Sequence, residues 1–88
     1  MKITINPAIQ NLGNWITGTA EFDGERELRF AAKVYDEPSE DYGINGGKIS
    51  KLEIRLGKEF LANYERGRDI EVAEEARPLY EMILAQFN

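Results

Sequence analysis

The chain has 88 residues, enough for one domain, and carries 16 acidic against 11 basic side chains for a formal net charge of −5. That balance favours solubility and argues against an extended nucleic-acid surface, which needs a basic stripe. Cysteine and histidine are both absent, which excludes disulfides and thiolate metal sites and removes the commonest general base and transition-metal ligand.

No apolar run approaches the ~20 residues of a membrane span. Met1-Lys2 is not followed by the long apolar stretch of a signal peptide. The expectation is a cytoplasmic protein with no membrane partner.

Lys2-Ile3-Thr4-Ile5 is a short β-like run. Asn6-Pro7 ends it, because proline has no N–H for a ladder and restricts the residue before it. Asn11 to Asn14, with Gly13, is a second break. Trp15 to Phe22 reads as a strand, with Ile16, Gly18, Ala20 and Phe22 on one face and Trp15, Thr17, Thr19 and Glu21 on the other. Asp23-Gly24 is the strongest turn signal, and Leu28 to Tyr35 is the return strand with Leu28, Phe30, Ala32 and Val34 together. A two-residue turn would pair Phe22 with Glu25 and set Leu28 and Phe30 on the Trp15 face. An odd-length loop pairs Ala20 with Phe30 and Ile16 with Val34. The odd loop is preferred, because it gathers the apolar sets on one side and a one-residue slip would scatter them.

Lys48 to Leu56 has the cleanest alternation, with Leu52, Ile54 and Leu56 inward and Lys51, Glu53 and Arg55 outward. Gly57-Lys58 is a turn. Phe60 to Arg66 returns, with Phe60, Ala62 and Tyr64 as the inward set and Leu61 breaking the pattern; Gly67 ends it. Val72 to Phe87 is a helix with a stripe of Val72, Ala76, Leu79, Tyr80, Ile83 and Phe87. Asp69 is its cap, and Glu71, Glu74 and Glu75 lie near its positive end. Pro78 either kinks this helix or marks the start of a shorter one behind a turn. Ala76 and Arg77 are poor caps, which favours one kinked helix. Strands followed by a terminal helix define the class as α+β, a single domain over residues 1–88. The expected architecture is an antiparallel sheet of four or five strands, in two β-hairpins, with the C-terminal helix packed on one face.

One helix covers one face of the sheet. The other face is expected to expose Trp15, Ala31, Tyr35, Ile49 and Leu61 among Thr17, Lys33, Lys51 and Arg55. An aromatic centre with polar surroundings has the anatomy of a partner-binding patch, although a half-wet face with scattered apolar residues is common. A homodimer through this face or a sheet edge is the simplest arrangement.

Ser39 to Leu52 is a glycine-rich loop that runs from acidic to basic and enters a strand. Loops of this kind carry function more often than cores do. Gly43 to Ser50 has the look of a phosphate loop, but it is one residue short and opens no helix. Asp41, Asn45 and Gly46 match positions of a calcium loop, whereas Gly43 and Leu52 fail where ligands are needed. Asp36, Glu37, Glu40 and Asp41 read first as a solvated acidic loop, with a loosely held hard cation as the alternative. Ser50 and Lys51 are neighbours in a strand and point to opposite faces, so they form no nucleophile–base pair. The Tyr64–Asp69 segment reads as a strand end, a glycine turn and a helix cap, with Arg66 or Arg68 available to Asp36 or Glu37. No catalytic residue, cofactor or metal is expected, and the protein is read as a non-enzyme.

Trp15-x-x-Gly18, Phe30-x-Ala32-Lys33-Val34-Tyr35, Ser39 with Tyr42 to Leu52, and Tyr64-x-Arg66-Gly67 together resemble a family of small uncharacterised proteins. That family is carried by phages and mobile elements of Gram-positive bacteria. The resemblance spans roughly Trp15 to Phe87. Arg68 stands where the family pattern has an aromatic, and Asp41 is an extra residue between Glu40 and Tyr42. The resemblance supplies no activity and no catalytic residues; it implies a host-directed binding role.

The resulting expectation is a small non-catalytic interaction module that binds a protein partner. Its binding residues are Trp15, Tyr35, Tyr42, Gly43, Ile44, Asn45, Gly46, Gly47, Lys48, Ile49 and Lys51. The alternative is an acidic inhibitor that mimics nucleic acid and occupies a host DNA-binding protein. It would act through Asp36, Glu37, Glu40, Asp41, Glu71, Glu74 and Glu75, with steep salt dependence.

Overall fold

The computed structural model describes residues 2–6, 15–22, 26–65 and 71–88. Its strands are β1 (Lys2–Asn6), β2 (Trp15–Phe22), β3 (Arg26–Val34), β4 (Ile49–Leu56) and β5 (Glu59–Glu65), followed by the helix α1 (Arg77–Phe87). The sheet is a five-stranded meander in the order β1-β2-β3-β4-β5. Every neighbouring pair is antiparallel. The α+β expectation therefore holds, with five strands and one C-terminal helix.

The Asp23-Gly24 turn lies outside the described residues, but its register does not. Phe22 pairs with Arg26, so the connection is odd in length, as preferred. The pairs are Ala20–Leu28 and Ile16–Ala32, two residues away from the expected partners. A shift of two keeps every side chain on its face, which is why the apolar sets still meet. At the β4–β5 hairpin, Leu56 pairs with Glu59 across Gly57-Lys58. Gly57 has φ 61° and is the sole positive-φ residue of that turn, the type II′ geometry that matches strand twist.

The core lies between one sheet face and α1. Leu28, Phe30, Ala32, Leu52 and Ile54 from the central strands meet Ala76, Leu79 and Ile83. Each large side chain buried there contributes about 1.5–3 kcal/mol. Phe30 packs over Gly18, its cross-strand partner, where an added Cβ would meet the ring at 2.8 Å and also strike the Thr4 carbonyl.

Two bulges correct the expected strand faces. In β4 the pairing steps from Lys33–Lys51 to Val34–Ile49, so Ser50 is the extra residue. In β5 it steps from Ile54–Ala62 to Arg55–Phe60, so Leu61 is the extra one. A bulge reverses the inward–outward parity beyond it. Ile49 and Leu61, expected on the open face, are consequently buried at 0% and 4% exposure, while Phe60, expected inward, is 52% exposed. The hydroxyl of Ser50 donates to the Lys33 carbonyl at 3.4 Å. The Leu61 carbonyl accepts from the Ala73 N–H at 2.7 Å, tying the approach to the helix onto the bulge.

The helix is also corrected. A 3-10 turn at Glu74–Ala76 leads into α1, which begins at Arg77 with Pro78 in its first turn. There the missing N–H is harmless, because the first turn's donors have no intrahelical partner. No mid-helix kink is needed. The proposed cap Asp69 lies outside the described residues. The whole expected stripe nevertheless faces the core: Ala76, Leu79 and Ile83 are buried, and Val72, Tyr80 and Phe87 pack against them. No described helix is long and apolar enough to cross a membrane.

Candidate functional site

The sheet face opposite α1 is built from cross-strand rows. One row runs Thr4–Thr19–Arg29–Arg55–Phe60, and another runs Trp15–Lys33–Lys51–Glu65. Between them lies Thr17–Ala31–Glu53–Asn63. On the two central strands the register thus sets Arg29 opposite Arg55 and Lys33 opposite Lys51. Like charges directly opposite each other destabilise a sheet, by an amount on the order of 0.2–1 kcal/mol per pair. Two cationic pairs of this kind, with the acidic pair Glu21–Glu27 opposed beside them, are not an arrangement that stability alone would select.

These cations are sparsely neutralised. Among the described residues the ion pairs are Arg26–Glu75, Lys51–Glu65 and Arg77–Glu81, so Arg29, Lys33 and Arg55 enter none. Glu53 lies diagonal to Arg29 and Lys33 across the register and two residues along β4 from Lys51 and Arg55, and it cannot pair with all four at once. The Arg55 guanidinium sits 5.7 Å from the centroid of the Phe60 ring, within cation–π range.

Small side chains hollow the middle of this face. Thr17, Gly18, Thr19 and Ala31 floor an open depression of about 630 Å³ whose charged rim is Arg29, Glu53 and Arg55. A second depression of about 190 Å³ adjoins it, bordered by Trp15, Lys51, Glu53, Asn63 and Glu65. Glu53 lines both. The larger volume is within the range of ligand-sized clefts.

The glycine-rich loop is placed differently. Its connection is folded on itself: Gly43 N–H donates to Ser39 O at 2.9 Å, Ser39 N–H to Gly47 O at 2.9 Å, and Gly47 N–H to Ile44 O at 2.9 Å. Gly43 is buried, and a Cβ there would collide with the Gly47 carbonyl. Asn45 and Gly46 supply the positive φ values of 52° and 74° that close the loop, and both residue types tolerate them. Ile44 is 3% exposed and belongs to the core. Asn88 then clamps the loop to the end of α1. Its Nδ2 donates to Ile44 O at 3.0 Å, and its Oδ1 accepts from Ile49 N–H at 3.0 Å. Tyr64 Oη donates to the Tyr42 carbonyl at 3.0 Å.

The expected binding residues therefore separate. Trp15 and Lys51 share the open face and border the smaller depression. Tyr35 is half-buried just past β3, and its N–H donates to the carbonyl of half-buried Lys48 at 2.8 Å. Tyr42 (49% exposed) and Asn45 are at the surface of the loop. Gly43, Ile44 and Ile49 are buried, so their side chains and Cα positions offer a partner no surface; Gly46 and Gly47 serve loop geometry. The loop closes the core beside α1, whereas Trp15 is across the sheet from it.

The acidic residues separate too. Glu75 pairs with Arg26 at 2.6 Å, at the start of β3. Asp36, Glu37, Glu40 and Asp41 are exposed beyond the other end of that strand. Ten extended residues span about 30 Å, so the acids form two groups rather than one continuous strip. Any pairing of Arg66 or Arg68 with Asp36 or Glu37 lies outside the described residues.

The sequence reading missed Arg29, Phe60 and the opposition of cations across β3 and β4. Arg29-x-x-x-Lys33 and Lys51-x-x-x-Arg55 were visible as same-face pairs at even spacing. Only the register, set by the bulge at Ser50, brings them opposite one another.

Fold and face together define a small α+β domain: an antiparallel meander backed by one helix, with its second face open and cationic at the centre. The chain belongs to the DUF7678 family, a domain of unknown function, whose model matches residues 14–88. No curated protein and no solved structure matches it.

Proposed function

We propose that this domain is a non-catalytic protein-interaction module that acts in the cytoplasm and holds its partner on the open face of the sheet. The observation that carries this reading is the pair of cross-strand cation pairs at the centre of that face. They are bounded by Trp15 on β2 and Phe60 on β5, and the Arg29–Arg55 pair rims a floor of small residues. Aromatic anchors beside incompletely paired charge are the components from which interaction hot spots are made. The sequence resemblance adds a phage or mobile-element setting, in which the partner is a host protein. The loop from Gly43 to Ile49 supports the face indirectly, by fixing β4 and its bulge, and Tyr42 and Asn45 are its exposed contacts. The rival reading, a mimic of nucleic acid, has less support, because its acids are divided between two ends of the molecule.

Affinity capture from host lysate tests this reading. Wild-type protein retains a specific partner, and the double variant Trp15→Ala/Phe60→Ala loses it with little change in melting temperature. Undiminished capture by that variant excludes the open face as the contact surface.

A further inference from the structure

Resting on that reading, we infer the chemistry of the partner: an acidic peptide segment with two carboxylates about 13 Å apart and a basic group midway between them. The spacing follows from the register. Arg29 and Lys33 are four residues apart on one face of β3, as are Lys51 and Arg55 on β4. At about 3.3 Å per residue the two cation pairs stand about 13 Å apart. Directly opposed residues hold their Cβ atoms about 4.5–5.5 Å apart. One carboxylate set over such a pair meets a cation from each side, and arginine can engage it with two parallel N–H donors. The occupant thereby relieves the repulsion that the empty face carries.

Glu53 defines the middle of the pattern. It lies in the row between the cation pairs and lines both depressions. Its carboxylate asks for a cationic or donor group on the partner. An extended peptide with two glutamates four residues apart and a lysine at the midpoint presents all three groups at matching intervals. Trp15 and Phe60 supply apolar contact near opposite ends of the site, and Thr17 and Thr19 add hydroxyls along it.

The same residues disfavour a nucleic acid. Glu21, Glu27, Glu53 and Glu65 share this face with the cations. A single strand carries a negative charge on every nucleotide and brings that charge, with no cation, against Glu53.

The test uses the intact chain and its single tryptophan, which borders the site. The probe is a synthetic acetylated peptide with that glutamate–lysine–glutamate spacing, titrated at low salt by Trp15 fluorescence and calorimetry. Binding with a Kd below about 1 mM is expected. It weakens at least about tenfold in Arg29→Gln/Arg55→Gln and, separately, in Lys33→Gln/Lys51→Gln, both with unchanged circular dichroism. A peptide of the same composition with the lysine exchanged for one glutamate binds more weakly. Equal binding of the permuted peptide, tighter binding of oligothymidylate, self-association that covers Trp15 in light scattering, or no peptide binding would each overturn the inference. If the peptide fails while capture from lysate still depends on Trp15 and Phe60, the module stands and only its acidic partner is wrong.

Discussion

Asn88 shows how much one side chain organises. It satisfies a donor on Ile49 and an acceptor on Ile44, and its own N–H donates to the Leu84 carbonyl at the end of α1. Removing the amide strands backbone groups on buried residues, at about 1–3 kcal/mol. Asn88→Ala should therefore lower the melting temperature by at least about 4 °C in a thermal scan, given the small size of the domain. An unchanged melt would mean that the loop holds itself. Tyr80 gives a second, pH-dependent readout. Burial is the main cause that lifts its phenol above the usual 10.0; the Tyr64 phenol beside it adds to the rise and Arg77 opposes it. The unfolded chain ionises Tyr80 at the ordinary value, while the folded chain still holds the proton. The stabilising contribution is thus complete below pH 10 and is lost as pH climbs through the raised folded value. Tyr80→Phe should flatten that alkaline decline in melts taken across pH 9 to about 12; a slope matching wild type would show that other groups cause it.

At the scale of elements, the sequence was most legible where periodicity ran unbroken. The alternation of Leu52, Ile54 and their neighbours, the Gly57-Lys58 turn and the helical stripe from Leu79 to Phe87 all sit where the pattern placed them. It was least legible at the bulges. A period of two carries no mark of an inserted residue, so Leu61 read as an exception and Ile49 as exposed, when each marks a change of parity. Pro78 is ambiguous in the sequence for a related reason. A weak capping residue argued against a helix start near Arg77, but the preceding 3-10 turn and tertiary packing of Ala76 and Leu79 hold that start in place. The bulge in β5 makes an asymmetric prediction. Leu61→Ala empties a core position and should cost about 2–5 kcal/mol, whereas Phe60→Ala should cost less than about 1 kcal/mol. Denaturant unfolding of the two variants distinguishes them, and the reverse order would restore the uninterrupted strand.

Across the whole molecule, charge is distributed unevenly. The chain has a net charge of −5, yet its open face gathers Arg29, Lys33, Lys51 and Arg55 around one central acid. The candidate site was half legible for this reason. Composition reports the sum and hides the sorting, and the sorting depends on a register that no local pattern specifies. In this proposal the face keeps its opposed cations for binding, against the interest of the fold. Measuring melting temperature and partner capture together on Arg29→Thr/Lys33→Thr tests that claim most directly. Threonine suits an exposed strand position, so the expected result is a melting temperature equal to or above wild type, with capture lost. A lower melting temperature with capture intact would contradict it.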